Sequence, residues 1–224
     1  MPRIHFQQQL VELKEKLVQM AELAQRALET SVEAYLGRDE ALCLQVHERE
    51  KAINASERAI YEMAYELLAK EQPMAIDLRF ILAVIKINAD IERVGDQAIN
   101  IAERAVNKSE APRVERPAKI RRMGEHANRM IRLSIEALMG EDARLAEQVL
   151  AMDDEMDDMN RQAQEAMMEA MQENPTATLS ALNAIIVARN LERAGDHATN
   201  IAEDVIFWVR GSDVRHQLSL VDAD

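Results

Sequence analysis

The chain has 224 residues, enough for one large domain or two small ones, and hydrophobic residues make up 48% of it. Aromatics are only 3%, Gly and Pro number 6 and 5, and 27 basic against 40 acidic side chains leave a formal charge of −13. Good helix formers dominate, which weighs against a sheet. The scarcity of rings and the negative field weigh against a nucleic-acid surface and favour cations or basic protein surfaces as partners.

Helix punctuation divides the chain in order. A first amphipathic pattern runs from about Phe6 to Leu36 and stops at Gly37, a natural residue just past a helix end. Asp39 caps a second helix to about Glu71, which Pro73 ends, and a third runs from about Met74 to Asn107. Lys108–Pro117, with Pro112 and Pro117, is the one linker-like stretch. Beyond it the order recurs: a helix to Met139, then Gly140, Asp142 as cap, a helix to about Glu173, Pro175, and a last helix to Val209 before Gly211.

The recurrence holds residue by residue. At an offset of 103, Met20 matches Met123, Ser31 Ser134, Gly37 Gly140, Asp39 Asp142 and Val46 Val149. At an offset of 100, Ile91-Glu92-Arg93-Val94-Gly95-Asp96 matches Leu191-Glu192-Arg193-Ala194-Gly195-Asp196, and Asn100-Ile101-Ala102-Glu103 matches Asn200-Ile201-Ala202-Glu203. The expected fold is all-α: two tandem three-helix bundles related by a pseudo-twofold internal repeat, six long antiparallel helices in all, divided as residues 1–110 and 111–224.

In the third helix, at about 100° per residue, Asp96 falls about 40° and Glu103 about 20° from Glu92, whereas Ile91, Val94, Ala98, Ile101 and Ala102 centre near about −120°. The acids therefore share a face turned away from the core, and Glu192, Asp196 and Glu203 repeat the arrangement. On the second helices, Asp153 and Asp157 lie one turn apart, beside the apolar face of Met152, Met156, Met159 and Ala163; the matching pair in the first half is Glu50 and Asn54. Antiparallel packing of second on third helix brings these pairs to one outer groove per half. Stacked like charges destabilise a helix by a few tenths of a kcal/mol per pair, and a bound cation removes that repulsion. Oxygen-only donors suit Mg²⁺, Mn²⁺, Ca²⁺ or iron better than structural zinc. Solvated acidic faces are the plainer reading of such pairs. Gly95 and Gly195, costly in mid-helix by about 1 kcal/mol, imply close backbone approach beside the acids.

Other residues carry less. Cys43 excludes an internal disulfide, fits a reducing compartment and reads as core filler. His197, His126 and His47 are expected at the surface, Arg93 and Arg193 in ion pairs along the helix, and Met152, Met156, Met167, Met168 and Met171 in the core. Trp208 is expected to pack the end of the last helix. The cluster Arg113, Arg116, Lys119, Arg121 and Arg122 reads as a solvated helix start. With no apolar signal core in Met1–Leu10 and no stretch approaching the ~20 residues of a membrane span, a cytoplasmic protein is expected.

The doubled Glu-Arg-x-Gly-Asp, together with Pro73…Asp77-Leu78-Arg79 and the closing Phe207-Trp208-Val209-Arg210-Gly211…Arg215-His216, resembles the PhoU family over nearly the whole chain. The resemblance implies a non-enzymatic accessory regulator that represses the phosphate-starvation response when phosphate is abundant. It implies contacts with the ATPase subunit of a phosphate ABC transporter and with a membrane sensor histidine kinase, and homodimer formation. It further implies metal clusters (Fe, Mn, Mg or Zn) on the acidic surfaces, with Glu50, Glu92, Asp96, Asp153, Asp157, Glu192 and Asp196 as ligands. Asn54 departs from the pattern, which prefers an acid there, and Asn190 replaces the acid seen at Asp90. The absence of a GxxxxGK[ST] loop leaves nucleotide handling to partners. Two rivals remain. A ferritin-like di-metal oxidoreductase would need inward Glu-x-x-His motifs, which the sequence lacks; the other is a metal-free helical scaffold.

Overall fold

Local sequence determines where each helix stops. A computed structural model describes residues 2–105 and 117–211, and among these no strand occurs. The first helix, α1 (Pro2–Gly37), starts earlier than its apolar pattern and buries Leu10, Leu13, Leu17, Met20, Ala24 and Leu28 along one stripe. Its end differs in detail from the glycine stop expected. Gly37 is still helical, and the left-handed residue is Arg38 (φ 54°), after which Asp39 N–H donates back to Ala34 C=O at 3.0 Å. Gly140, Glu141 (φ 53°) and the Asp142-to-Ala137 bond at 2.9 Å repeat this closure.

Each aspartate then caps the next helix. Asp39 Oδ1 accepts from Ala41 N–H at 2.8 Å and Leu42 N–H at 3.2 Å to open α2 (Glu40–Glu71). Gln72 (φ 47°) and Pro73 separate it from α3 (Ala75–Ala105). The second half begins with α4 (Pro117–Gly140). Asp142 Oδ1 accepts from Arg144 and Leu145 N–H at 2.9 and 3.1 Å.

The next segment departs from the sequence reading. One continuous helix to Glu173 is expected, but a turn at Ala151–Met152 divides it into α5 (Ala143–Leu150) and α6 (Asp153–Glu173). There Met152 N–H bonds Val149 C=O, a tightened i→i−3 step, and His126 on α4 takes the Met152 carbonyl at 3.0 Å. Capture of a carbonyl by an outside side chain is a recognised cause of such interruptions. A 3₁₀ turn, Pro175–Ala177, leads into α7 (Thr178–Arg210), which Gly211 ends at φ 75°.

These helices form two three-helix units, with α5 and α6 together standing where α2 stands in the first. The units share one core: a continuous apolar cluster runs from Phe6 on α1 to Trp208 on α7, and a small satellite of Ala166, Met167, Ala181 and Ala184 sits at the far end. Two helix pairs make the seam between them. Antiparallel α3 and α7 are tied by Arg79 Nε donating to Trp208 C=O at 3.1 Å, by Phe80 against the Trp208 ring at 4.8 Å, and by Lys86 with Asp204 at 3.1 Å. Antiparallel α1 and α4 are tied by Lys14 Nζ to Met139 C=O at 3.0 Å and Gln25 Nε2 to Asn128 C=O at 3.3 Å. Gln25 and Asn128 are themselves equivalent residues, 103 apart. Among the described residues, no helix is long and apolar enough to cross a membrane. The expected boundary at 110/111, Arg113, Arg116, Arg215 and His216 lie outside the described residues.

Candidate metal centres

The two glycines set the geometry of both grooves. A β-carbon on Gly95 would stand 3.1 Å from Cδ1 of Ile53 on α2, and one on Gly195 would stand 3.3 Å from Cγ of Met156 on α6. Ile53 and Met156 are again 103 apart, so the close approach inferred from sequence occurs in both halves at the same place. It draws the second helix onto the third beside the acids.

Glu92 and Asp96 on α3 meet Glu50 on α2 in the first groove. Burial pushes the Glu92 carboxyl above its ordinary range, and Asp96, Glu57 and Glu50 push it further while Arg93 opposes them. Asp96 is raised by burial and then by Glu50, with His197 and Arg93 opposing. Asn54, standing where an acid is preferred, donates its amide to Glu50 Oε1 and so occupies part of that carboxylate. Glu57, not singled out from the sequence, is half-buried at the same groove. Its position seven residues after Glu50, two turns along one face, is the signal that would have found it. Asn88 Nδ2 pins the local backbone by donating to Glu57 C=O at 2.9 Å.

The second groove is the more strained. Asp153 is pushed up to about 6, first by burial and then by Asp196, Asp157 and Asp154, against a partial offset from His126. Its Oδ1 is buried with no hydrogen-bond donor. Glu192 is raised by burial, Asp196 and Asp157. Asp196 is raised chiefly by burial; His197 opposes and Asp157 adds to the rise. All seven acids named from sequence thus fall into two electrostatic groups, Glu50/Glu92/Asp96 and Asp153/Asp157/Glu192/Asp196. They are less outward-facing than their helical angles imply. Asp96 and Asp157 are exposed, while Glu50, Glu92, Asp153, Glu192 and Asp196 are half-buried. Among the described residues, no three His, Cys, Asp or Glu side chains already converge at ion-holding geometry. Each groove is a row of neighbouring carboxylates that repel one another.

The donor set and the orphaned oxygen fit a hard cation. Carboxylate oxygens are the ligands such ions take, and a buried carboxylate oxygen without a donor is costly until something positive meets it. The second groove offers four carboxylates; the first offers three, with Glu50 partly engaged by Asn54.

Several side chains lie elsewhere than the sequence reading places them. His197 is half-buried, its Nδ1 2.9 Å from Asp90 Oδ1 on α3. His126 is likewise inside, donating from Nε2 to Met152 C=O. Met168 is exposed at 51%, whereas Met156 and Met167 are buried. Cys43 is core filler, its thiol 3.2 Å from Ala102 C=O. Trp208 packs the end of α7 as expected, and Arg93 lies 4.0 Å from Asp90.

Comparison with known proteins agrees with this architecture. The PhoU domain matches residues 17–105 and again 120–205. The chain belongs to the PhoU family. A Pseudomonas aeruginosa relative named phosphate-specific transport system accessory protein PhoU homolog is 37% identical over 94% of this chain and 88% of its own length. Homolog 1 from Thermotoga maritima is 31% identical over 98% of this chain and 95% of its own. The crystal structure of PhoU from Pseudomonas aeruginosa superposes with a TM-score of 0.88 at 36% identity, covering 92% of this chain and all of that one. A Streptococcus pneumoniae phosphate transport system regulatory protein PhoU shares the fold, with a TM-score of 0.87 at 22% identity. The two PhoU matches cover both Glu-Arg-x-Gly-Asp segments, and each groove has one wall from α3 or α7 carrying that segment.

Proposed function

We propose that this PhoU protein is a non-enzymatic regulator of phosphate uptake whose two acidic grooves bind metal ions. The observation that carries the reading is Asp153, a carboxylate with one oxygen buried and undonated and three acids pressing on it. Its relatives' names, accessory proteins of the phosphate-specific transport system, supply the process. Asp153, Asp157, Glu192 and Asp196 would hold ions in the second half; Glu50, Glu92 and Asp96, with Glu57 beside them, would do so in the first. Iron, Mn, Mg or Zn is the range to test. A bound cation supplies charge neutralisation, and the chain's own residues supply its placement: the Gly95–Ile53 and Gly195–Met156 contacts hold the two walls of each groove together.

The regulatory role follows from what a charged, rigid surface can do. Filling the grooves neutralises several partly buried carboxylates and changes the field over the surface around them, and with it which protein surfaces dock there. The partners proposed are the ATPase subunit of the phosphate ABC transporter and a membrane sensor histidine kinase, met at the membrane by a cytoplasmic, homodimeric PhoU that represses the starvation response when phosphate is replete. Co-purification of both partners with this chain, at high and low phosphate and with and without added Mn²⁺, tests this. The reading expects metal- and phosphate-dependent capture; absence of either partner in every condition would overturn it.

A further inference from the structure

The first groove does not end at its acids. Along α3, Leu78, Leu82, Ile85, Ala89, Glu92 and Asp96 follow one another at steps of four and three residues, and none of them is fully buried. That spacing averages about 3.5 residues, the interval at which one helix meets another packed along it. Leu78 and Leu82 are 36% and 40% exposed. On α2 the face of Glu50 and Glu57 likewise runs on into Tyr61 and Tyr65, which are exposed and stacked on one another with centroids 6.3 Å apart. Asn88 bonded to the Glu57 carbonyl, and Gly95 beneath Ile53, set the register of this antiparallel pair. It brings Tyr61 level with Ile85 and Tyr65 level with Leu82. The groove is therefore acidic at its inner end and apolar at the end nearer the α2–α3 turn, where no described residue covers those four large side chains. At the inner end Asp96, Glu57 and Glu50 crowd Glu92 against Arg93, and the Asn54 amide on Glu50 removes none of that charge. The second groove is poorer, with Gln164 and Thr178 in the places of Tyr61 and Leu78.

We propose that the first groove receives an amphipathic helix of a protein partner. Its apolar face packs on Tyr61, Tyr65, Leu78 and Leu82, and arginines or lysines at one end meet Glu50, Glu57, Glu92 and Asp96. An apolar helix face laid into a groove is a recurrent mode of recognition, and tyrosines carry a large share of the energy of such contacts. The opposed charges fix which way round the helix lies. From Leu78 to Asp96 the stripe runs about 27 Å, the length of a helix of about 18 residues. This inference rests on the regulatory reading above, to which it adds the chemistry of a partner, and it requires no bound metal.

Fluorescence anisotropy of the full chain with a labelled synthetic helix of about 18 residues tests it. The peptide carries leucines at i, i+3, i+4 and i+7 on one face and arginines in the turns at one end. Wild type should bind it, and Tyr65→Glu and Leu82→Glu should each weaken binding about tenfold or more. Both positions are exposed, so each variant should keep its helices by circular dichroism, and either one suffices should the other unfold. Met168→Glu, at the place of Tyr65 in the other half, should leave binding unchanged. Replacing the peptide's arginines by glutamates should also weaken it about tenfold or more. Equal binding of the two peptides, or binding that neither Tyr65→Glu nor Leu82→Glu alters, overturns the proposal. A Leu82→Glu chain that sediments as monomer where wild type is a dimer, with no peptide bound by either, gives the face to a second copy and overturns it too. Wild type that fails to bind the peptide overturns this surface alone, because co-purification tests the regulatory reading separately.

Discussion

Gly95 on α3 lies so close beneath Ile53 on α2 that a β-carbon would stand 3.1 Å from Ile53 Cδ1 and 3.4 Å from its Cγ2. The contact holds the first groove closed, and Gly195 under Met156 does so in the second, but their tolerances differ. Met156 and Met130 around Gly195 are flexible and can yield a few tenths of an ångström, whereas Ile53 is branched and stiff. Gly195→Ala is expected to stabilise by roughly 0.5–1 kcal/mol through helix propensity, and Gly95→Ala by close to nothing. Val at either position should cost about 1–3 kcal/mol by overpacking. Urea unfolding of the four variants checks this, and a stabilising Gly95→Val would refute the close contact.

Acid pH should stabilise the metal-free protein through Asp153. Its folded value of about 6 lies above the unfolded carboxylate value of about 4. The contribution is therefore fully present below about pH 4 and lost as pH rises through about 6. Glu92, Asp96, Glu192 and Asp196 are shifted the same way. Thermal melts in chelator at pH 5, 6 and 7 should show wild type losing more stability than Asp153→Asn across that window. Parallel profiles would mean that Asp153 ionises as an ordinary surface acid.

The same shift predicts that protons compete with cations. Mn²⁺ affinity at the second groove should fall as pH drops through about 6, because the protonated Asp153 carboxyl has lost the charge that attracts the ion. Titrations at pH 5.5 and 7.5 would show it, and a pH-independent affinity would remove Asp153 from the ligand set.

Capping and seam contacts should be separable in the ledger of variants. Asp39→Ala and Asp142→Ala each remove two N–H acceptor contacts at a helix start and should cost about 1 kcal/mol. Trp208→Ala removes the ring that Phe80 packs on and the core at the end of α7, and should cost about 3–5 kcal/mol. Denaturant titrations give both; equal losses would mean that the α3–α7 seam contributes little beyond its caps.

Much of this architecture is legible in the sequence because duplication prints every structural device twice. Asp39 and Asp142, the two glycines beside the acids, and the Glu92/Asp96 and Glu192/Asp196 stripes are visible as matched pairs, and the two caps and the two close glycine contacts lie where the repeat puts them. What escaped is whatever the repeat does not share. The break at Ala151–Met152 depends on His126, whose counterpart is Leu23, so no matched pair announces it. The left-handed stops at Arg38 and Glu141 escaped because glycine, one residue earlier, is the usual signal there. The Asp90–His197 bridge spans 107 residues and joins unlike members of the two repeats, a relation that helical angles within one element cannot express. Burial of the acids is not legible for a related reason: an angle on one helix says nothing of how closely the neighbouring helix overhangs it.

Mn²⁺ titration of the tag-free chain against Glu192→Ala/Asp196→Ala at neutral pH tests the central claim most directly. Loss of the second groove's binding in the double variant, with the first groove still titrating, is the predicted result. A wild-type chain that takes up no Mn²⁺, or a double variant with unchanged stoichiometry, would contradict it.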